Sequence, residues 1–166
     1  TVNSRYNLGI FAQHQASIAR HNLQASLRLD SNQQFGEHVT GGIGWGYALT
    51  NNTRLTANFG NAFKAPTFND LYFPGFSNAN LRPEVSRSIE LGVKGNTDWG
   101  GWTLNLYETR IKDLISFDSR TSSVANVDKA LIRGVEGTLN TLIKGWHVNI
   151  NVTLLHPIDK SSGFNR

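Results

Sequence analysis

The chain has no cysteine and no methionine among its 166 residues, and only four prolines. Without cysteine, neither a disulfide framework nor a thiolate metal site can form. Long apolar runs are missing as well: none approaches the roughly 20 residues that a membrane-spanning helix needs. The first residues lack the basic-then-apolar pattern of a secretory leader. Charge is scarce, at 17% of residues, against roughly 25% in ordinary soluble domains. The net charge is +4, yet Lys and Arg are scattered rather than gathered into a stripe, which argues against nucleic acid as a partner. None of these absences bears on a β-barrel, whose strands cross a bilayer with alternating residues instead of continuous apolar ones.

Alternation is what the chain has instead. Leu23, Ala25, Leu27 and Leu29 share one face of a strand, and Gln24, Ser26, Arg28 and Asp30 share the other. The same two-residue period runs through Val39 to Leu49, Leu55 to Phe59, Ile89 to Val93, Trp102 to Leu106 and Trp146 to Leu154. The pattern predicts an all-β chain of about eight antiparallel up-and-down strands, near 6–18, 22–30, 39–49, 53–62, 85–95, 101–112, 130–140 and 145–155, and no long helix. Short turns (ARHN, TNNT, NTDWG, TLIKG) alternate with longer connections at 31–38, 63–84, 113–129 and from His156 onward. Short turns at one end and long loops at the other are the layout of a transmembrane outer-membrane barrel.

The four tryptophans, Trp45, Trp99, Trp102 and Trp146, all fall near the short-turn end, as an interfacial aromatic girdle would. The opposite face carries Arg28, Arg54, Asn58, Glu90, Lys94, Asn105, Asn149 and Asn151. Those residues suit a wet or plugged lumen and would be costly inside a sealed β-sandwich, the competing architecture. By the same pattern Leu27 and Ile150 belong to the lipid face, and Gly42, Gly44, Gly46, Gly134 and Glu136 to the inward one. Glu136 is expected to pair with Arg133 or Arg110, or with a plug.

Signals for enzymatic chemistry are weak, so no catalytic residue is assigned. The five histidines show no metal spacing, and the calcium-like start Asp30-Ser31-Asn32 reaches Phe35 where an EF-hand loop requires glycine. No nucleophile elbow is present, and the glycines of Gly42–Gly46 lie within a strand with no helix after it.

Three segments carry a family likeness. FGNAFKAPTFNDLY, NANLRPEVSRSIELGVKG and NVDKALIRGVEG resemble, in that order, a block from the barrel of TonB-dependent outer-membrane receptors, and DSNQQFGEH resembles the family's connection ahead of it. Ala79 departs from the pattern, standing where many relatives have proline. Within the family, FKAPTFNDLY, IKDLISFD and NVTLLHPIDKSSG are most similar to the cobalamin-transporting branch, while ferric-siderophore and haem receptors share the more general motifs. The resemblance implies a 22-stranded barrel around a plug, in the outer membrane of a Gram-negative bacterium and bathed in its lipid. It also implies an N-terminal box that engages TonB, through which the proton gradient drives uptake. Plug, box and final strand are not found in these residues, so 1–166 is expected to be an internal piece of the barrel domain. Calcium assists ligand binding in the cobalamin branch through earlier loops, so no cofactor or metal site is expected within this stretch.

The segment Phe63–Gly92 holds three of the four prolines and five aromatics. As an extracellular loop it would combine proline-stiffened backbone with flat apolar surface and amide groups, which a large metal-chelate ligand such as a corrinoid requires. The candidate ligand contacts are Tyr72, Phe73, Phe76, Asn78 and Asn80, with packing onto the barrel rim as the competing role. Pro83 should set the start of the following strand, and Glu84 should accept hydrogen bonds from turn amides. A passive porin, an outer-membrane hydrolase and a soluble lectin-like sandwich complete the alternatives.

Overall fold

The computed structural model describes residues 4–159. They form one antiparallel sheet of eight strands in chain order: β1 (Asn7–Ile18), β2 (His21–Asn32), β3 (Gly36–Ala48), β4 (Thr53–Lys64), β5 (Glu84–Thr97), β6 (Gly100–Asp118), β7 (Ser123–Ile143) and β8 (Trp146–Asp159). Each strand pairs with the next, and β1 and β8 are the two edges of an open, up-and-down sheet. One short helix, α1 (Phe68–Tyr72), interrupts the connection between β4 and β5.

The register converts alternation into two faces. Leu27, Ile43, Phe59, Leu91, Leu106, Val135 and Leu154 all fall on one side. These side chains stay exposed, Leu27 at 61% and Leu154 at 66%, because what they are built to meet is hydrocarbon rather than protein. The opposite side is polar and internally bonded. Asn58 donates to Glu90 at 3.1 Å, Ser88 meets Thr109 at 2.8 Å, and Thr103 meets Thr138 at 2.6 Å. Such bonds tie polar groups of neighbouring strands to one another while leaving the face wettable.

Aromatic rings mark the short-turn end. Trp102 lies flat against Gly95, whose missing side chain leaves the space: a Cβ there would sit 2.8 Å from the indole. Trp45 stacks on Tyr47 with centroids 6.0 Å apart and donates its indole N–H to His21 at 3.0 Å. Trp146 follows a tight turn in which Lys144 and Gly145 both take positive φ, 49° and 84°, the handedness a two-residue hairpin needs. The girdle expected from the sequence is in place.

At the other end the expected long loops are mostly strand. The connection predicted over 31–38 shrinks to three residues between β2 and β3, and 113–129 is largely the extension of β6 and β7 around a short tip. The segment from His156 likewise continues β8 to Asp159. Asparagine and glycine, read as loop signals, here close a tight turn: the Asn32 side chain accepts from the amides of Gln34 and Phe35 at 3.0 and 3.1 Å, and Gly36 takes φ 77°. With 19 and 21 residues, β6 and β7 exceed the roughly 10 residues a barrel strand needs to cross the bilayer, so their hairpin projects beyond it.

Candidate functional site: a braced aromatic loop

Between Lys64 and Glu84 the chain leaves the sheet and builds a small unit of its own. Thr67 caps α1: its hydroxyl accepts from the Asp70 amide at 3.2 Å while the Asp70 carboxylate accepts from the Thr67 amide at 2.8 Å. The turn so fixed drives Leu71 inward until 1% of it is exposed. Leu71, Leu81 and Val124 form a buried cluster, with Phe35, Phe76 and Ile115 packed against it. Five elements of the chain thus meet in a core that belongs to the loop rather than to the sheet. By register Val124 shares the face of Gly134 and Glu136, so the loop folds over the lumenal side of the β6–β7 hairpin.

Hydrogen bonds lock it there. The Val124 amide donates to the Phe76 carbonyl at 2.8 Å, and the Asn78 side chain donates to the Val124 carbonyl at 3.2 Å. Asn126 accepts from the Arg82 amide at 2.8 Å and donates to the carbonyls of Arg82 and Asp113 at 2.9 and 2.7 Å. Arg82 also pairs with the Asp113 carboxylate. Glu84, which is 9% exposed, accepts from the Ile115 amide at 2.9 Å and from Lys64 at 3.3 Å. Glu84 therefore takes up a backbone amide, as its sequence position suggests, although the amide belongs to β6. At the hairpin tip the Arg120 guanidinium bonds the Asp118 carboxylate and holds it below the usual carboxylate range.

The other flank is held by a cation. The Arg5 guanidinium lies over the rings of Phe35 and Phe68, 5.3 and 5.2 Å from their centroids, and donates to the Pro66 carbonyl at 3.1 Å. Gln34 donates to the Tyr72 hydroxyl at 3.0 Å.

All five candidate contacts fall in this unit, with two different roles. Tyr72 and Phe73 remain exposed at 38% and 49%, and Asn80 is exposed. Phe76 is half-buried against the cluster and stacks on Phe73 with centroids 5.0 Å apart. The Asn78 side chain is used twice, toward Val124 and in accepting from the Asn80 amide at 2.9 Å. Phe76 and Asn78 thus brace the loop, and Tyr72, Phe73 and Asn80 form its exposed surface, Tyr72 with its hydroxyl tied to Gln34 and Phe73 with one face on Phe76. The braces Arg5, Phe35, Ile115, Val124 and Asn126 escaped the sequence reading, since each acts across 30 or more residues or from a strand expected to be loop.

The expected pairing of Glu136 with Arg133 or Arg110 does not form. Both arginines sit on the apolar-side face and bond Glu108 at 2.8 and 2.7 Å, whereas Glu136 lies on the lumenal face opposite Asn105. A strand cannot turn neighbouring residues to one side, and Arg133 and Glu136 differ by an odd number. Asp30, at the start of the calcium-like stretch, is held by the Arg28 guanidinium at 2.6 and 2.8 Å and by Asn7 at 3.0 Å. Among the described residues no three acidic or histidine side chains are placed to share a metal ion.

Residues 1–163 match the TonB-dependent receptor-like β-barrel family. The chain belongs to that family. Its members are outer-membrane receptors of Gram-negative bacteria rather than enzymes. Among curated relatives, the vitamin B12 transporter BtuB of Photobacterium profundum is 33% identical over 143 residues, 82% of this chain and 24% of its own length. The vitamin B12 transporter BtuB of Vibrio cholerae is 37% identical over 135 residues, 81% of this chain and 22% of its own length. The chain thus spans about a quarter of the length of these relatives. Among solved structures, the copper transporter OprC superposes with a TM-score of 0.81 at 21% identity, covering 96% of this chain and 29% of that one. The ferric enterobactin receptor of Pseudomonas aeruginosa gives 0.77 at 23% identity, covering 95% and 27%. At such identities these structures carry the fold alone.

Proposed function

We propose that these strands are part of the barrel of a receptor that binds cobalamin and takes it up across the outer membrane. The observation that carries the reading is the likeness to vitamin B12 transporters, at 33% to 38% identity over 68% to 82% of the chain. The site supports it chemically. A loop that is stiff below and aromatic above leaves Tyr72, Phe73 and Asn80 exposed, and a corrinoid offers matching apolar faces and a rim of amides. Uptake is driven from the inner membrane through TonB, and calcium strengthens cobalamin binding through loops outside this chain.

The test is a titration of the complete receptor in detergent with cyanocobalamin, with and without a calcium chelator, beside a panel of ferric siderophores and haem. Saturable cobalamin binding that weakens on chelation is expected. Binding of an iron chelate in its place would keep the family and overturn the ligand.

A further inference from the structure

Toward the long-loop end, the two ladders of β3 stop at different heights. Its pairing with β2 runs on to Gly36, opposite Asn32, whereas its pairing with β4 ends at Gly41, opposite Asn61. Beyond that point side chains bridge the gap to β4. Asn61 accepts from the Gly41 amide at 2.8 Å and donates to the Val39 carbonyl at 3.1 Å, and the His38 ring stacks on Phe63 with centroids 3.6 Å apart. The backbone of the β2–β3 tip therefore takes its position from the β1–β2 side. That tip carries Phe35, which packs on the Leu71 cluster, and Gln34, which donates to the Tyr72 hydroxyl at 3.0 Å.

On that side a continuous chain of polar groups leads to the tip, and two of its members, Asp30 and Asn32, are buried. The Asp30 carboxylate accepts from the Arg28 Nε and Nη2 at 2.6 and 2.8 Å, and from the Asn7 side chain at 3.0 Å. Asn7 in turn accepts from the Asn32 side chain at 3.3 Å, and Asn32 accepts from the Gln34 and Phe35 amides at 3.0 and 3.1 Å. A carboxylate can only accept. Asn7 must therefore turn its NH2 toward Asp30 and its oxygen toward Asn32, which in turn leaves the Asn32 oxygen for the two backbone amides. Gly9 gives the ion pair its room: a Cβ there would come within 2.8 Å of the Asp30 carboxylate and closer still to the Arg28 guanidinium.

We propose that Asp30 is a positioning residue for the exposed ring of Tyr72. Its charge sets the direction of two amides in series, the second amide sets the turn, and the turn places the Gln34 carboxamide that holds the phenol. The Arg5 guanidinium, donating to Gln34 Oε1 at 3.3 Å, orients that carboxamide in the same sense and leaves its NH2 for the ring. Asp30→Asn would bring an NH2 against either the Arg28 Nε–H or the Asn7 NH2, donor against donor, and the direction of the chain would be lost. The ring is thus aimed from the wall of the barrel as well as from its own loop. That Tyr72 touches the ligand rests on the function proposed above; that Asp30 sets its place does not.

The test uses the complete receptor in detergent, with folding checked by gel mobility. In Asp30→Asn, amide exchange should rise about tenfold over residues 33–36 and 69–73, the scale of one lost bond to a charged group. Residues 76–84, which Asn126 holds, should keep their protection. Asn7→Ala cuts the chain while leaving the Arg28–Asp30 pair intact, and should give the same rise even if Asp30→Asn fails to assemble. Asp30→Asn should also weaken cyanocobalamin binding by about threefold, and by clearly less once Tyr72→Phe has removed the hydroxyl that Gln34 holds, a coupling that a general loss of stability would not produce. Were cyanocobalamin not bound at all, the ligand would be wrong and the exchange result would still decide the placement of Tyr72. Unchanged exchange over 69–73 in folded Asp30→Asn or in Asn7→Ala, or equal affinity losses with and without the Tyr72 hydroxyl, would each overturn the proposal.

Discussion

Asn126 brackets the backbone of Arg82, accepting from its N–H and donating to its carbonyl as a neighbouring strand would, although the two residues are 44 positions apart. This one side chain joins two of the segments by which the family is recognised, NANLRPEVSRSIELGVKG and NVDKALIRGVEG. A third bond, to the Asp113 carbonyl, ties the same amide to β6. The aromatic loop is therefore oriented by a polar clamp as well as by its small core.

Asn126→Ala should free the loop without unmaking the barrel. Each lost bond that leaves a shielded partner unmet costs about 1–3 kcal/mol. Hydrogen exchange of residues 76–84 in the complete receptor should rise, while the gel mobility of the folded barrel stays unchanged. Unaltered protection of that segment would mean that the Leu71–Leu81–Val124 cluster alone holds it.

Much of this fold is legible because a two-residue period is written into almost every strand. Leu23, Leu27 and Leu29 declare their face without help from any neighbour. The strand extensions were less visible: 113–129 alternates poorly, since beyond the bilayer its faces meet Phe76 and Leu81 on one side and solvent elsewhere. Aromatic content marked the loop correctly as a unit, but not the division of labour inside it. Whether Phe73 or Phe76 is free depends on where Val124 and Ile115 arrive, and that is set by the β6–β7 register. Parity alone places Arg133 and Glu136 on opposite faces, but that Arg133 meets Glu108 is set by the β6–β7 register as well.

That division predicts two distinct phenotypes. Tyr72→Ala with Phe73→Ala removes exposed rings and should weaken ligand binding while leaving loop protection intact. Phe76→Ala removes a ring packed on the cluster and should loosen the loop, lowering affinity only as a consequence. Ligand titration and hydrogen exchange on the same two variants separate the outcomes. Equal loosening in both would show that Tyr72 and Phe73 are braces too.

Leu27→Lys places an ammonium on the lipid face and should impair assembly by about 2–4 kcal/mol if it lies near the midplane. Ser26→Lys, one residue away on the lumenal face, should be far milder, because the lumenal face is already wet. Folding yield into lipid vesicles measures both. Equal penalties would contradict the two-faced reading of β2.

Tyr107 and Gly134 supply the last test, because they lie opposite each other on β6 and β7 and the ring occupies the place of the missing side chain. A Cβ on Gly134 would come within 2.5 Å of the phenol carbon and oxygen, so Gly134→Ala must push the ring off the wall. Overpacking of this kind costs about 1–3 kcal/mol, and slower assembly into vesicles should reveal it. Combining Gly134→Ala with Tyr107→Ala removes the clash and should restore part of the loss, a coupling that independent sites would not show. If the double variant is as poor as the sum of the singles, the glycine is needed for its backbone and not for the ring above it.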